Sequence, residues 1–272
     1  WKAMGASATR NQKRSRAVVQ EAEAQQRSLS ELDDATLAAR ARDAEPAELL
    51  AILGIAAQRT LGLEPFPVQS QAVLRLVEGD VIQMATGEGK TLVGAMAATG
   101  FGLQGKRVHV ITVNDYLAER DAEWMRPLVE FFGLSVAAVT EKLGPAERRE
   151  AYACDVVYGP VNEIGFDVLR DQQITRREDA VQAPADVALV DEGDSVLVDE
   201  ALVPLVLAGN QPGQEPTGQI TDVVRTLRER EHYTIDDDRR NVFLTDDGAA
   251  RVEGALGIDS LYDDEHIGTT LV

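Results

Sequence analysis

The sequence predicts an α/β fold: a parallel sheet with helices on both faces, followed by the start of a smaller α+β domain. Three observations carry this. Strand-type and helix-type apolar periods alternate from residue 80 to residue 191. A glycine-rich turn at 83–93, QMATGEGKTLV, closes on Gly-Lys-Thr and opens a helix. An Asp-Glu pair, in VALVDEGDS, ends a short apolar strand about 100 residues later.

Residues 1–60 read as a helical segment. Ser30 or Asp33 is a suitable N-cap within SLSELDDATLAARARDAE, whose apolar residues recur at helical spacing. Lys2, Arg10, Lys13, Arg14 and Arg16 precede the first acid, Glu21. A solvated, partly disordered end accounts for them. The alternative is an arm that touches an anionic lipid surface, where each basic residue contributes about 1 kcal/mol. Trp1 is no natural initiator, so the chain is expected to be trimmed at its front or preceded by disordered residues.

Within 61–209 the expected order begins with a short strand at Val81–Met84 and a helix from Lys90 to about Leu103. A buried-type strand follows at Arg107–Val113, RVHVITV, then a helix over Asp115–Phe132. That helix carries Leu117, Trp124, Met125, Leu128 and Phe131 on one stripe, read as core packing. Further strands are expected at Ser135–Thr140, Asp155–Tyr158 and Val187–Val190. After about Gly209 the composition changes. NQPGQEPTGQ reads as a linker, and HYTID and NVFLT flank DDRR as a β-hairpin would. Residues 210–272 hold 14 acids against 6 bases and read as a domain begun and not completed.

Bulk composition narrows the function. The 272 residues are 44% hydrophobic, enough for a sizeable core, and carry a net charge of −19. That charge disfavours a broad nucleic-acid surface, which needs clustered Lys and Arg. Cys154 is the single cysteine, so no internal disulfide forms, and a reducing compartment fits. His109, His232 and His266 lack zinc-site spacing. No apolar run approaches the ~20 residues that span a bilayer.

The turn at 83–93 has the parts of a phosphate loop. Thr86, Gly87, Glu88 and Gly89 supply backbone N–H groups, and the glycines admit close approach. Lys90 would reach the β- and γ-phosphates of ATP, or the β-phosphate of ADP, and Thr91 would place its hydroxyl on Mg²⁺. Met84 departs from G-x-x-x-x-G-K-S/T. One large class of motor ATPases uses A-x-T-G-x-G-K-T instead, which Ala85–Thr91 resembles with the alanine one place late. Asp191 would hold Mg²⁺ through its water shell, and Glu192 would orient and deprotonate the attacking water. Catalytic roles therefore fall to Lys90, Asp191 and Glu192. Asp199-Glu200 lies past the strand end and reads as structural. About 20 residues upstream of the loop, PFPVQ supplies Phe66 and Gln69. In helicase-like motors a glutamine so placed pairs with the adenine edge; otherwise it is a helix-start residue.

These elements alone describe a helicase-like ATPase. Four longer stretches resemble SecA, the motor of bacterial preprotein export: VITVNDYLAERDAEWM (110–125), YGPVNEIGFDVLRDQ (158–172), VDEGDSVLVDEALVPLVLAGN (190–210) and the run from Tyr233 to Ile267. The likeness extends from about residue 25 to the end. It departs at Leu202-Val203, where Arg-Thr is usual, at Pro160-Val161, where Thr-Asn is usual, and at Glu64, where arginine is common. These departures are most like the accessory SecA of actinobacteria.

The resemblance implies that residues 61–209, with the helical segment 1–60, form a first RecA-like nucleotide-binding domain. It implies that 210–272 begin the preprotein-crosslinking domain. It also implies a cytoplasmic protein, peripheral on the cytoplasmic face of the cell membrane, that pushes unfolded preproteins through the SecYEG channel. A homodimer is left open, and no nucleic-acid partner is expected. The second RecA-like domain and its arginine finger are expected outside these residues. Two other readings remain: an RNA or DNA helicase on the same core, with Arg120 as a phosphate contact, and a nucleotide-gated adaptor without catalysis. Asp115, Glu119, Asp121 and Glu123 around Arg120 weaken the first, and intact Lys90, Asp191 and Glu192 weaken the second.

Overall fold

The computed structural model describes residues 2–199, 201, 205, 222–235, 242–257 and 261, with backbone only for 2–12 and 256. Glu200, Leu202-Val203, the 210–219 linker, the DDRR turn and the Asp263–Ile267 stretch lie outside the described residues. The chain divides into two compact units, residues 1–207 and 208–272.

In the first unit a four-stranded parallel sheet has the order β2-β3-β1-β4. The strands are β1 (Val108–Thr112), β2 (Val136–Ala138), β3 (Val156–Pro160) and β4 (Val187–Val190). Val110 of β1 pairs with Tyr158 on one side and Leu189 on the other. β1 and β3 are almost wholly buried, as their near-continuous apolar runs require of strands covered on both faces.

Helices follow in chain order: α1 (Lys2–Leu29), α2 (Asp34–Ala41), α3 (Pro46–Leu61), α4 (Pro67–Val77), α5 (Lys90–Leu103), α6 (Asp115–Phe131), α7 (Pro145–Tyr152) and α8 (Val161–Gln173). Alternate strand residues sort into two cores. Val156 and Tyr158 join the main one with α1 to α6, while Val157 joins a smaller one with Val139, Ala151 and Tyr152. This two-residue alternation is what places helices on both faces.

Local chemistry sets the helix ends. Asp33 rather than Ser30 caps α2, its carboxylate accepting from the Thr36 N–H at 2.9 Å. Asn114 caps α6 in the same way, accepting from Leu117 N at 2.9 Å. Pro46, Pro67 and Pro145 each open a helix, where a missing N–H is harmless.

Four expectations change. The helical segment 1–60 is three helices broken at the caps, and α1 carries regular backbone through the basic start. Trp124 is 50% exposed, off the core stripe that Met125 and Leu128 hold. Helix α7 lies where the sequence predicts no element, and α8 lies on the family-like stretch 158–172. Val81–Met84 forms no strand, and Val81 is fully exposed. This segment and β4 line the same cleft of about 990 Å³, and neither the segment nor the outer edge of β4 has a ladder neighbour among the described residues.

In the second unit, β5 (Tyr233–Ile235) pairs antiparallel with β6 (Val242–Leu244), the predicted hairpin. A helix, α9 (Asp246–Leu256), follows directly. Thr245 caps it, accepting from Gly248 N at 3.1 Å, and Gly257 ends it in the left-handed conformation.

Candidate functional site

The loop 85–89 enters α5 through two glycines that need positive φ, Gly87 at 86° and Gly89 at 78°. A Cβ on Gly89 would also sit 2.4 Å from the Gln69 amide nitrogen, so any side chain there would displace Gln69. Gln69 is buried behind the loop. Its Nε2 donates to the Glu88 carbonyl at 2.7 Å, and its Oε1 accepts from the Phe66 N–H at 2.8 Å. Gln69 is therefore both a helix-start residue and a brace for the loop. One N–H and one lone pair of its amide remain for another partner. Glu88 folds back, its carboxylate accepting from Ala85 N at 2.8 Å.

The N-terminus of α5 has no side-chain cap and no acid in its first turn. Its free amides, the positive end of the helix dipole and Lys90 all favour an anion. A Cβ on Gly87 would meet nothing within 4 Å, so the loop is open to an incoming group. These features fit a phosphate chain.

The opposite wall is the end of β4. The Asp191 N–H donates to the Ile111 carbonyl at 2.9 Å, extending the β4–β1 ladder by one bond. Asp191 Oδ1 then accepts from the Glu192 N–H at 2.9 Å. Glu192 adopts φ 50°, a left-handed conformation that costs a non-glycine residue about 1–3 kcal/mol and gathers at functional sites. Its Oε1 lies 3.2 Å from Lys90 Nζ, across 102 residues of chain. The hydrogen bond to Glu192, helped by the Asp191 and Asp194 carboxylates, holds the Lys90 ammonium above its ordinary range. Lys90 is a third exposed and Glu192 about half, so solvent leaves this pair little net stability.

Thr86, Lys90, Thr91, Asp191 and Glu192 line the one 990 Å³ cleft. A hydroxyl and a carboxylate facing a lysine across it are the hard oxygen donors that suit Mg²⁺. Phe66 stands apart. It is 69% exposed and lines a separate cavity of about 540 Å³ between α1, α3 and α4.

Two groups of the cleft were not singled out from sequence. Tyr158, on β3, is 2% exposed; burial pushes its hydroxyl well above the ordinary range, with Asp121 and Asp191 adding to the effect. Asp121, on α6, is 4% exposed. Burial raises its carboxyl against the opposing pull of Arg120, whose Nε donates to it at 2.8 Å. Tyr158 carried a signal, a polar atom in an otherwise apolar strand. Asp121 was hidden among surface-like charges.

A family described as the SecA DEAD-like domain matches residues 1–253. Protein translocase subunit SecA 2 of Corynebacterium efficiens is 74% identical over 279 aligned residues, covering all of this chain. The SecA 2 proteins of Corynebacterium glutamicum and Mycolicibacterium smegmatis are 72% and 52% identical, again over the whole chain. The chain spans 37% of the length of the two corynebacterial relatives and 36% of the mycobacterial one. An α/β unit with a glycine loop opposite an Asp-Glu strand end, matched over most of its length, belongs to the SecA family.

Proposed function

We propose that this chain is the nucleotide-binding part of a SecA-type translocase motor that couples ATP hydrolysis to movement of unfolded preproteins through the SecYEG channel. The observation that carries this is the approach of Lys90 to Glu192 at 3.2 Å, beside Thr91 and Asp191 in one cleft. Residues 61–209 serve as the first RecA-like domain, and 210–272 begin the preprotein-crosslinking domain. The protein works in the cytoplasm, peripheral to the membrane, where the basic first helix suits an anionic lipid surface.

In this reading the loop amides of Thr86–Gly89 and the Lys90 ammonium bind the phosphates. The Gln69 amide presents its remaining N–H and lone pair to adenine. Thr91 and Asp191 hold magnesium, which supplies charge neutralisation at the phosphates. Lys90 and Glu192 neutralise each other before nucleotide arrives. Binding turns Lys90 to the phosphates and frees Glu192 to orient a water and accept its proton. An arginine finger supplied from outside these residues is worth about 10³–10⁵ in rate, so the 272 residues alone bind weakly and hydrolyse slowly.

The test is ATPase activity of the full-length protein. Stimulation by SecYEG membranes with an unfolded preprotein is expected. Stimulation by RNA in place of membranes would instead support a helicase.

A further inference from the structure

Two buried side-chain polar atoms lack a hydrogen-bond partner among the described residues: the Tyr158 hydroxyl oxygen and Asp80 Oδ2. The second is not isolated, because it lies against the Arg75 guanidinium. Tyr158 is different. An unpaired hydroxyl in a packed core costs stability, and most such groups are satisfied. Its location gives it a use, since Tyr158 lines the cleft shared by Lys90, Thr91, Asp191 and Glu192.

Sheet register fixes where the ring lies. Tyr158 is level with Val110, and Val110 is level with Leu189, two residues before Asp191. Tyr158, Leu189 and Val187 all belong to the main core, so they share one face of the sheet. Asp191 keeps the parity of Leu189 and continues the ladder by its bond to Ile111. Tyr158 therefore starts two strands across, roughly 10 Å, and two residues below Asp191, roughly 7 Å. A tyrosine leaning along the strand covers the offset along it, and the separation across the strands leaves room for water between the two side chains. Asp121 reaches the same cleft from α6 with one oxygen already held by Arg120.

We propose that Tyr158 is a positioning residue of the nucleotide site, its hydroxyl donating toward the Asp191 carboxylate through bridging water when magnesium and nucleotide are bound. Asp191 would otherwise be oriented only by the Glu192 N–H among its described side-chain hydrogen bonds. A second donor from the floor of the cleft fixes which oxygen faces the metal.

This rests on the nucleotide reading above, and Tyr158→Phe in the full-length protein tests it separately. The change removes one oxygen and keeps the ring. The nucleotide-free variant should melt at the wild-type temperature or above, because an unpaired buried hydroxyl has gone. Magnesium-dependent tightening of ADP binding, read by calorimetry, should weaken about ten-fold, a charge-assisted hydrogen bond's share. Binding in EDTA should stay unchanged. A lower melting temperature would overturn the proposal by showing a hydroxyl already paired in the resting fold. Wild-type magnesium dependence in the variant would overturn it too. Failure of the wild-type protein to bind ADP at all would sink the nucleotide reading itself, and this proposal with it.

Discussion

Arg148 is buried on α7, and its replacement by methionine probes the packing that holds the second face of the sheet. The guanidinium donates to Asp167 at 2.7 Å and to Glu163 at 2.6 Å. It also donates to the Thr140 and Leu143 carbonyls, each at 2.9 Å. Asp167 is fully buried, and Glu163 is 8% exposed. Methionine keeps the aliphatic stem and deletes the charge, so both carboxylates stay buried without it. Removing one partner of a buried pair costs about 3–5 kcal/mol. Asp167 retains the Tyr152 hydroxyl at 2.9 Å and Arg170 at 2.8 Å, which places the expected loss near the middle, about 4 kcal/mol. For a unit of this size that lowers the melting temperature by roughly 8–16 °C. Urea and thermal unfolding followed by circular dichroism measure it. Adding Glu163→Gln to the Arg148→Met variant should restore part of the loss, since the stranded charge is gone. A loss under about 1 kcal/mol, the scale of a surface pair, would refute the buried network.

Further outcomes follow from the same structure. His109 is 7% exposed, and burial pushes its imidazole below 6.5. Its contribution to stability is full above the unfolded value of 6.5 and is lost as pH falls through the lower folded value, because the unfolded chain takes the proton first. His109→Gln should therefore flatten the stability profile just below that pH, and an unchanged slope would contradict the assignment. Asn114→Ala removes the α6 cap and should cost about 1 kcal/mol by urea titration; Asn114→Ser should cost little. Gln69→Ala frees the Glu88 carbonyl and should weaken ADP binding roughly three- to ten-fold, with an unchanged affinity contradicting its role as a brace.

Much of this fold is legible in the sequence because its strongest signals are local. β4 and α5 fall on the residues expected, 187–190 and 90–103, since a short apolar run and a glycine-to-lysine helix start each declare themselves. What was missed depends on distant neighbours. Val81–Met84 has a strand's composition and no ladder neighbour among the described residues. Trp124 has a core residue's chemistry, yet the buried stripe of α6 is held by Met125 and Leu128. The candidate site divides the same way. Lys90, Thr91, Asp191 and Glu192 are readable as motif residues, but the resting contact between Lys90 and Glu192 is not. Neither is the Arg148 network, whose three charged members lie 15 and 19 residues apart and look like ordinary surface charges until α7 and α8 pack.

The most direct measurement is Mg·ATP binding by the full-length protein carrying Glu192→Gln, beside Lys90→Ala. With both side chains facing one triphosphate, losing the Glu192 charge releases Lys90. The Glu192→Gln protein should then bind ATP at least as tightly as wild type and turn it over very slowly, while Lys90→Ala should lose affinity by ten-fold or more. Wild-type affinity in Lys90→Ala, or normal turnover in Glu192→Gln, would mean that the nucleotide sits elsewhere.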